Sequence, residues 1–193
     1  ETAAQIVPGV ARGCTAHDMT LAGGETAQLP DMYAPGHYDL AGTIVGVVEE
    51  ERAIHGDRVT PGDQLIGYAS TGLHTNGYTL ARRIVFDWLK LRIDDPFPDS
   101  SQTVAQVLLA VHRSYEATLR PVLDRVHALA HITGGGIPGN LSRVLPQGME
   151  AVIGAGSWPW PPLFRVLMRG GQVARDEMRR VFNLGIGMIA VMA

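Results

Sequence analysis

The side chains best suited to chemistry fall in three glycine-bearing segments. In STGLHTNGY, Ser70 to Tyr78, a histidine and an asparagine stand beside Gly72 and Gly77, between a run that reads as a strand and one that reads as a helix. Helix amino termini attract anions through free N–H groups and the helix dipole, so a phosphate is a natural ligand there. His74 beside it could donate to developing charge or move a proton. The same residues also have a plainer use, with Thr75 or Asn76 capping the helix and His74 at the surface. Local sequence leaves both readings open.

HITGGGIPGN, His131 to Asn140, repeats this arrangement with more glycine. Successive glycines at a strand-to-helix junction let backbone amides curl around an anion, or form a loop with no ligand at all. The lysine and hydroxyl of a G-x-x-x-x-G-K-[ST] loop are absent, which excludes that mode of triphosphate binding. In GGETAQLPDMY, Gly23 to Tyr33, Glu25 follows two glycines and could hold Mg²⁺ or accept a proton. It could equally be a solvated turn.

Other features carry less. FNLGIGM, Phe182 to Met188, opens like a dinucleotide fingerprint but enters a strand with no helix behind it. His127 and His131, on one face of a strand, would lie about 13 Å apart, too far to share a metal ion. The seven histidines then read as a composition effect. Trp158 to Pro162 reads as a packed elbow before a helix, and Arg179-Arg180 as a solvated helix face. Ser70 lacks the G-x-S-x-G setting of a nucleophile.

Positioning these groups requires an alternation of strands and helices. Apolar spacing predicts a helix over Thr2 to Cys14, kinked or started late by Pro8. A short strand is expected at Thr20 to Ala22 and, from its β-branched run, a long one at Tyr38 to Glu50. Turn signals from Ala53 to Asp63 mark a domain boundary. Beyond it the order is a strand over Gln64 to Ser70, a helix capped by Asn76, a Pro- and Asp-rich loop from Arg92 to Ser100, and a helical stretch from Thr103 to Val126 divided at Pro121. A strand over His127 to Thr133, a helix over Pro138 to Leu145 and a strand over Glu150 to Ile153 follow. Helices at Leu163 to Arg169 and Arg175 to Val181, and a last strand over Gly185 to Met192, complete the chain. The class is α/β or α+β with mixed sheets: residues 1–54 the remainder of a first domain, residues 55–193 a larger second one.

The 193 residues are 46% hydrophobic and 18% charged with net charge -3. That balance argues against a nucleic-acid-coating protein, and no run approaches the length of a membrane span. Cys14 alone excludes a disulfide scaffold and reads as cytoplasmic. Lys90 is the only lysine among sixteen basic residues, and the first residue is Glu1, so a preceding segment is expected.

Taken in order, GGETAQLPDMY, YDLAGTIVGVVE, PGDQLIGYASTGLHTNGYTLARRI, HITGGGIPGNLSRVLP, SWPWPPLF and FNLGIGM resemble the aminoimidazole ribonucleotide synthetase family over essentially the whole chain. The resemblance implies a homodimer built through the first domain, with ATP and formylglycinamidine ribonucleotide in a cleft. The implied reaction is ATP- and Mg²⁺-dependent ring closure in purine biosynthesis. It also implies Glu25 near the metal and triphosphate as a catalytic and metal-binding carboxylate, and His74 for proton transfer or amide activation. Asn76 would line the nucleotide side of the cleft, Thr133, Gly134, Gly135 and Gly136 would meet substrate or phosphate, and Asp39 would orient the first domain's share. The family's D-G-V-G-T-K-like segment is not in this chain, which puts activity of the 193 residues alone in question. Two alternatives are another ATP-dependent member of the superfamily, such as a thiamine-monophosphate kinase or selenophosphate synthetase, and a non-catalytic module self-associating through Tyr38 to Glu50.

Overall fold

A computed structural model describes residues 2–154 and 156–193. The chain forms two compact units, the first running to Glu51 and the second from Arg52 to Ala193.

In the first unit, helix α1 spans Thr2–Ala16 with Pro8 inside it. The late start expected from Pro8 does not occur. The backbone around Pro8 is exposed, so water serves the carbonyl that proline cannot bond. Neither Thr20 to Ala22 nor Tyr38 to Glu50 forms a strand, and the first unit contains no sheet among its described residues. The physical reason is pairing. The β-branched run favours extended backbone, yet a strand exists only with a partner's ladder, and Val45 and Val47 here are 88% and 97% exposed.

The second unit is α+β. Strand β1 (Gln64–Ala69) leads through a loop to α2 (Tyr78–Arg82), which continues as a wider π-type turn over Arg83–Trp88. Helix α3 (Val104–Leu108) opens with a capping box: Thr103 Oγ1 accepts from Gln106 N–H while the Gln106 side chain accepts from Thr103 N–H. The helical stretch then breaks at Leu109, well before Pro121, and resumes as α4 (Glu116–Leu119) and a 3₁₀ turn over Arg120–Arg125. Pro121 sits in the first turn of that last segment, where its missing N–H costs nothing.

After β2 (Val126–His131) come α5 (Gly136–Leu141), α6 (Pro162–Gly170), α7 (Arg175–Val181) and β3 (Ile186–Met192). Glu150 to Ile153 stays irregular, with Val152 87% exposed. The sheet is three-stranded in the order β1-β3-β2, and both neighbours run antiparallel to β3. The expected mixed sheet is therefore corrected to a purely antiparallel one. The last strand takes the centre because it is apolar on both faces. Ile189 and Val191 pack with Ala128, Ala130, Ile132 and the α5 residues Ile137 and Leu141 on one side; Ala190 and Met192 pack with Tyr115, Leu119 and Val126 on the other. A larger cluster joins α2, α3, α6 and α7 through Ala81, Val104, Phe164, Leu167 and Met178, together with Ile84 of the π-type turn and Phe182 just after α7. Gly136, at φ +63°, lets α5 lie against α7: a Cβ there would fall 1.7 Å from the Arg179 carbonyl oxygen.

Candidate functional site

Antiparallel order brings the ends of β1 and β2 to the same edge of the sheet as the start of β3. The three segments singled out from the sequence of this unit, STGLHTNGY after β1, HITGGG at the end of β2 and FNLGIGM into β3, therefore meet there.

Two buried asparagines fasten the loops. Asn183 accepts from Ser70 Oγ and from Gly185 N–H, each at 2.9 Å, and its Nδ2 donates to the Gly72 and Leu73 carbonyls at 2.8 and 3.2 Å. Asn140 accepts from Thr133 Oγ1 at 3.0 Å and donates to the carbonyls of Thr133, Gly134 and Gly136 at 3.3, 3.3 and 2.8 Å. Each amide thus replaces backbone partners that an irregular loop cannot supply. Between the loops, a Cβ on Gly134 would lie 3.4 Å from Asn76 Oδ1, so these two predicted site residues are neighbours.

Asn76 does not cap α2. Gly77, at φ 79°, is the N-cap, and the Asn76 amide donates to Thr75 Oγ1 at 3.2 Å. Within the glycine loop, Thr133 and Gly134 are accessible while Gly136 is buried against α7, so its glycine is demanded by helix packing. Glu25 and Asp39 belong to the first unit and are exposed. Asp39 Oδ1 accepts from the Leu40 N–H at 2.7 Å and Oδ2 from Tyr33 Oη at 3.5 Å, a local turn. No second carboxylate gathers with Glu25 into a group of three metal-ligating side chains among the described residues.

His74 is buried at 6% exposure, with φ +60°. Burial first, and then the neighbouring His112, His131 and Arg113, push its pKa down to about 4, so the imidazole is neutral at pH 7. Its Nε2 accepts from the Thr71 backbone N–H at 3.0 Å and lies 3.2 Å from Thr71 Oγ1, while Nδ1 has no partner. The His112 ring stacks on His74 with centroids 3.8 Å apart, and His112 Nε2 lies 3.3 Å from His131 Nε2. Tyr115 closes the group at 6.2 Å from both His74 and His112. Gly187 makes room for them: a Cβ there would lie 2.1 Å from Tyr115 Oη and 2.9 Å from His74 Nδ1.

The histidines are therefore more than a composition effect. His127 and His131 do not share a ligand, and His127 Nδ1 instead donates to Asp63 Oδ2 at 2.7 Å. His131, however, meets two histidines from elsewhere in the chain. His112 went unnoticed in the sequence because it lies inside a stretch whose spacing reads as continuous helix; only the break after Leu109 turns it toward β2. The Trp158 elbow is packed, its indole N–H donating to the Leu184 carbonyl at 2.9 Å.

Fold and site together define an α+β domain with a polar, glycine-rich site at one end of an antiparallel sheet. Residues 60–193 match the family described as AIR synthase related protein, C-terminal domain, and the chain belongs to that family. Proteins named phosphoribosylformylglycinamidine cyclo-ligase are similar throughout. That of Trichlorobacter lovleyi is 48% identical over 100% of this chain and 56% of its own length. That of Sorangium cellulosum is 50% identical over 96% and 55%, and that of Myxococcus xanthus 48% identical over 100% and 56%. The chain spans about half the length of these curated relatives.

Proposed function

We propose that this chain serves the ATP-dependent ring closure of formylglycinamidine ribonucleotide to aminoimidazole ribonucleotide, a step of purine biosynthesis in the cytoplasm. The observation that carries the reading is 48% identity, over the whole chain, to a relative named for that reaction. The geometry supports it: Asn76 lies beside Gly134, and the loop that carries Asn76 also carries the neutral His74, a polar end of the sheet suited to an amide-bearing substrate with a phosphate.

In this reaction the formyl amide oxygen takes the γ-phosphoryl group of ATP, a neighbouring amidine nitrogen attacks the activated carbon, and phosphate leaves as the ring closes. Positioning and charge stabilisation are the protein's share. His74 is a poor proton acceptor at pH 7, which favours amide activation by a neutral N–H donor over general-base catalysis. Asn76, Thr133, Gly134 and Gly135 hold substrate or phosphate, with Gly136 setting the loop. Mg²⁺, where bound, neutralises phosphate charge; Glu25 would be one carboxylate ligand, the remainder coming from phosphates, water and residues outside this chain. Asp39 orients the Tyr33 turn. Residues 1–54 act as part of a first domain through which two copies pair, and residues 55–193 as a second.

Assay of the complete gene product with formylglycinamidine ribonucleotide and ATP tests the reading. Imidazole formation is expected, with His74→Ala lowering turnover by about 10²- to 10⁴-fold. ATP hydrolysis without imidazole product would remove the cyclo-ligase assignment, and unchanged turnover in a folded His74→Ala variant would remove His74 from the mechanism.

A further inference from the structure

Three separate segments each send one histidine to a single point: His74 from the loop after β1, His112 from the break between α3 and α4, and His131 from the end of β2. One ring nitrogen from each lies within 4.8 Å of the other two. We propose that His74, His112 and His131 form a binding site for a divalent transition-metal cation of the zinc class. The inference shares His74 with the cyclo-ligase reading but does not depend on it.

Three observations support the site. The first is spacing: tetrahedral Zn²⁺ with Zn–N of about 2.0–2.1 Å places two ligand nitrogens about 3.3 Å apart, and His112 Nε2 and His131 Nε2 are 3.3 Å apart. The second is the support behind two of the rings. A metal-bound histidine normally donates its other N–H to a fixed acceptor. His112 Nδ1 donates to the Arg113 carbonyl at 2.8 Å, which leaves its Nε2 lone pair facing His131. His74 Nε2 accepts from the Thr71 N–H at 3.0 Å; metal binding at Nδ1 shifts the ring proton to Nε2, where Thr71 Oγ1, 3.2 Å away and donating its own proton to the Val111 carbonyl at 2.7 Å, can accept it.

The third observation is the buried Nδ1 of His74, which has no hydrogen-bond partner. A buried polar atom left unpaired costs on the order of 1–3 kcal/mol, and a cation would satisfy it. Imidazole donors suit Zn²⁺, Co²⁺, Ni²⁺ and Cu²⁺ and not Mg²⁺. His112 is partly exposed and His131 exposed, so both rings have freedom to close on an ion and solvent can reach the fourth position.

Co²⁺ titration of the 193-residue chain, read by visible absorption, tests this directly. One equivalent is expected to produce the intense d–d bands of low-coordinate Co²⁺, to be displaced by Zn²⁺, and Zn²⁺ is expected to raise the thermal midpoint. His112→Asn and His131→Asn should each weaken binding at least 100-fold with an unchanged circular dichroism spectrum, whereas His55→Asn, at an exposed position outside the cluster, should not. Absence of the bands, or equal binding by folded His112→Asn, would show a hydrogen-bonded histidine pair only and would overturn the site. Because the readout is metal absorption, its failure leaves the enzymatic assay untouched, and the converse holds.

Discussion

At the residue scale the site depends on side-chain amides as much as on its chemical groups. Asn183 reaches back 113 residues to Ser70 and makes three hydrogen bonds to the loop that carries His74, with a fourth from Gly185 N–H in its own loop. Replacing it by Ala leaves buried donors and acceptors unpaired in that loop. The expected cost is about 2 kcal/mol, read as a lower urea midpoint with unchanged slope; a loss under 0.5 kcal/mol would show that water takes over these bonds. The sequence announces Gly134 to Gly136 and the setting of His74, because glycine clusters after apolar runs are local signals. It announces neither Asn183 nor Asn140, whose partners are set by chain crossings, nor His112, whose helical spacing concealed the break.

At the element scale β1, β2 and β3 lie within one or two residues of their expected positions, since each is an apolar run bounded by turns. Their order was illegible: the antiparallel arrangement follows from β3 inserting between β1 and β2. The start of β1 is tied to β2 by Asp63, whose carboxylate accepts from His127 Nδ1 and from the Thr60 N–H. The His127 bond first, then Thr60, holds its pKa below the ordinary 3.8. A depressed carboxylate stabilises the fold fully above its unfolded value of about 3.9 and loses that contribution as pH falls through the lower folded value. Asp63→Asn should therefore destabilise at pH 7 and converge with the wild type near pH 2. Urea midpoints measured from pH 7 to pH 2 check this; a constant difference across the range would mean that Asp63 acts without its charge.

At the scale of the whole molecule, the first unit exposes Ile44, Val45 and Val47 at 81%, 88% and 97% along an extended run. In the pairing proposed above, this exposed apolar run is the expected surface of association. Sedimentation velocity of the chain should show self-association that Val45→Lys with Val47→Lys abolishes, while the circular dichroism of the second unit persists. A monomer at all concentrations would remove this run as the pairing surface. By itself the sequence determined a class mixing helices and strands, the limits of β1, β2 and β3 and the glycine loops, because each rests on local periodicity, turn chemistry and glycine's tolerance of positive φ. Tertiary structure alone decided strand order, the failure of Tyr38 to Glu50 to become a strand, and the meeting of His74, His112 and His131. Those outcomes depend on which distant segments pair, and pairing is a property of the packed chain rather than of any stretch within it.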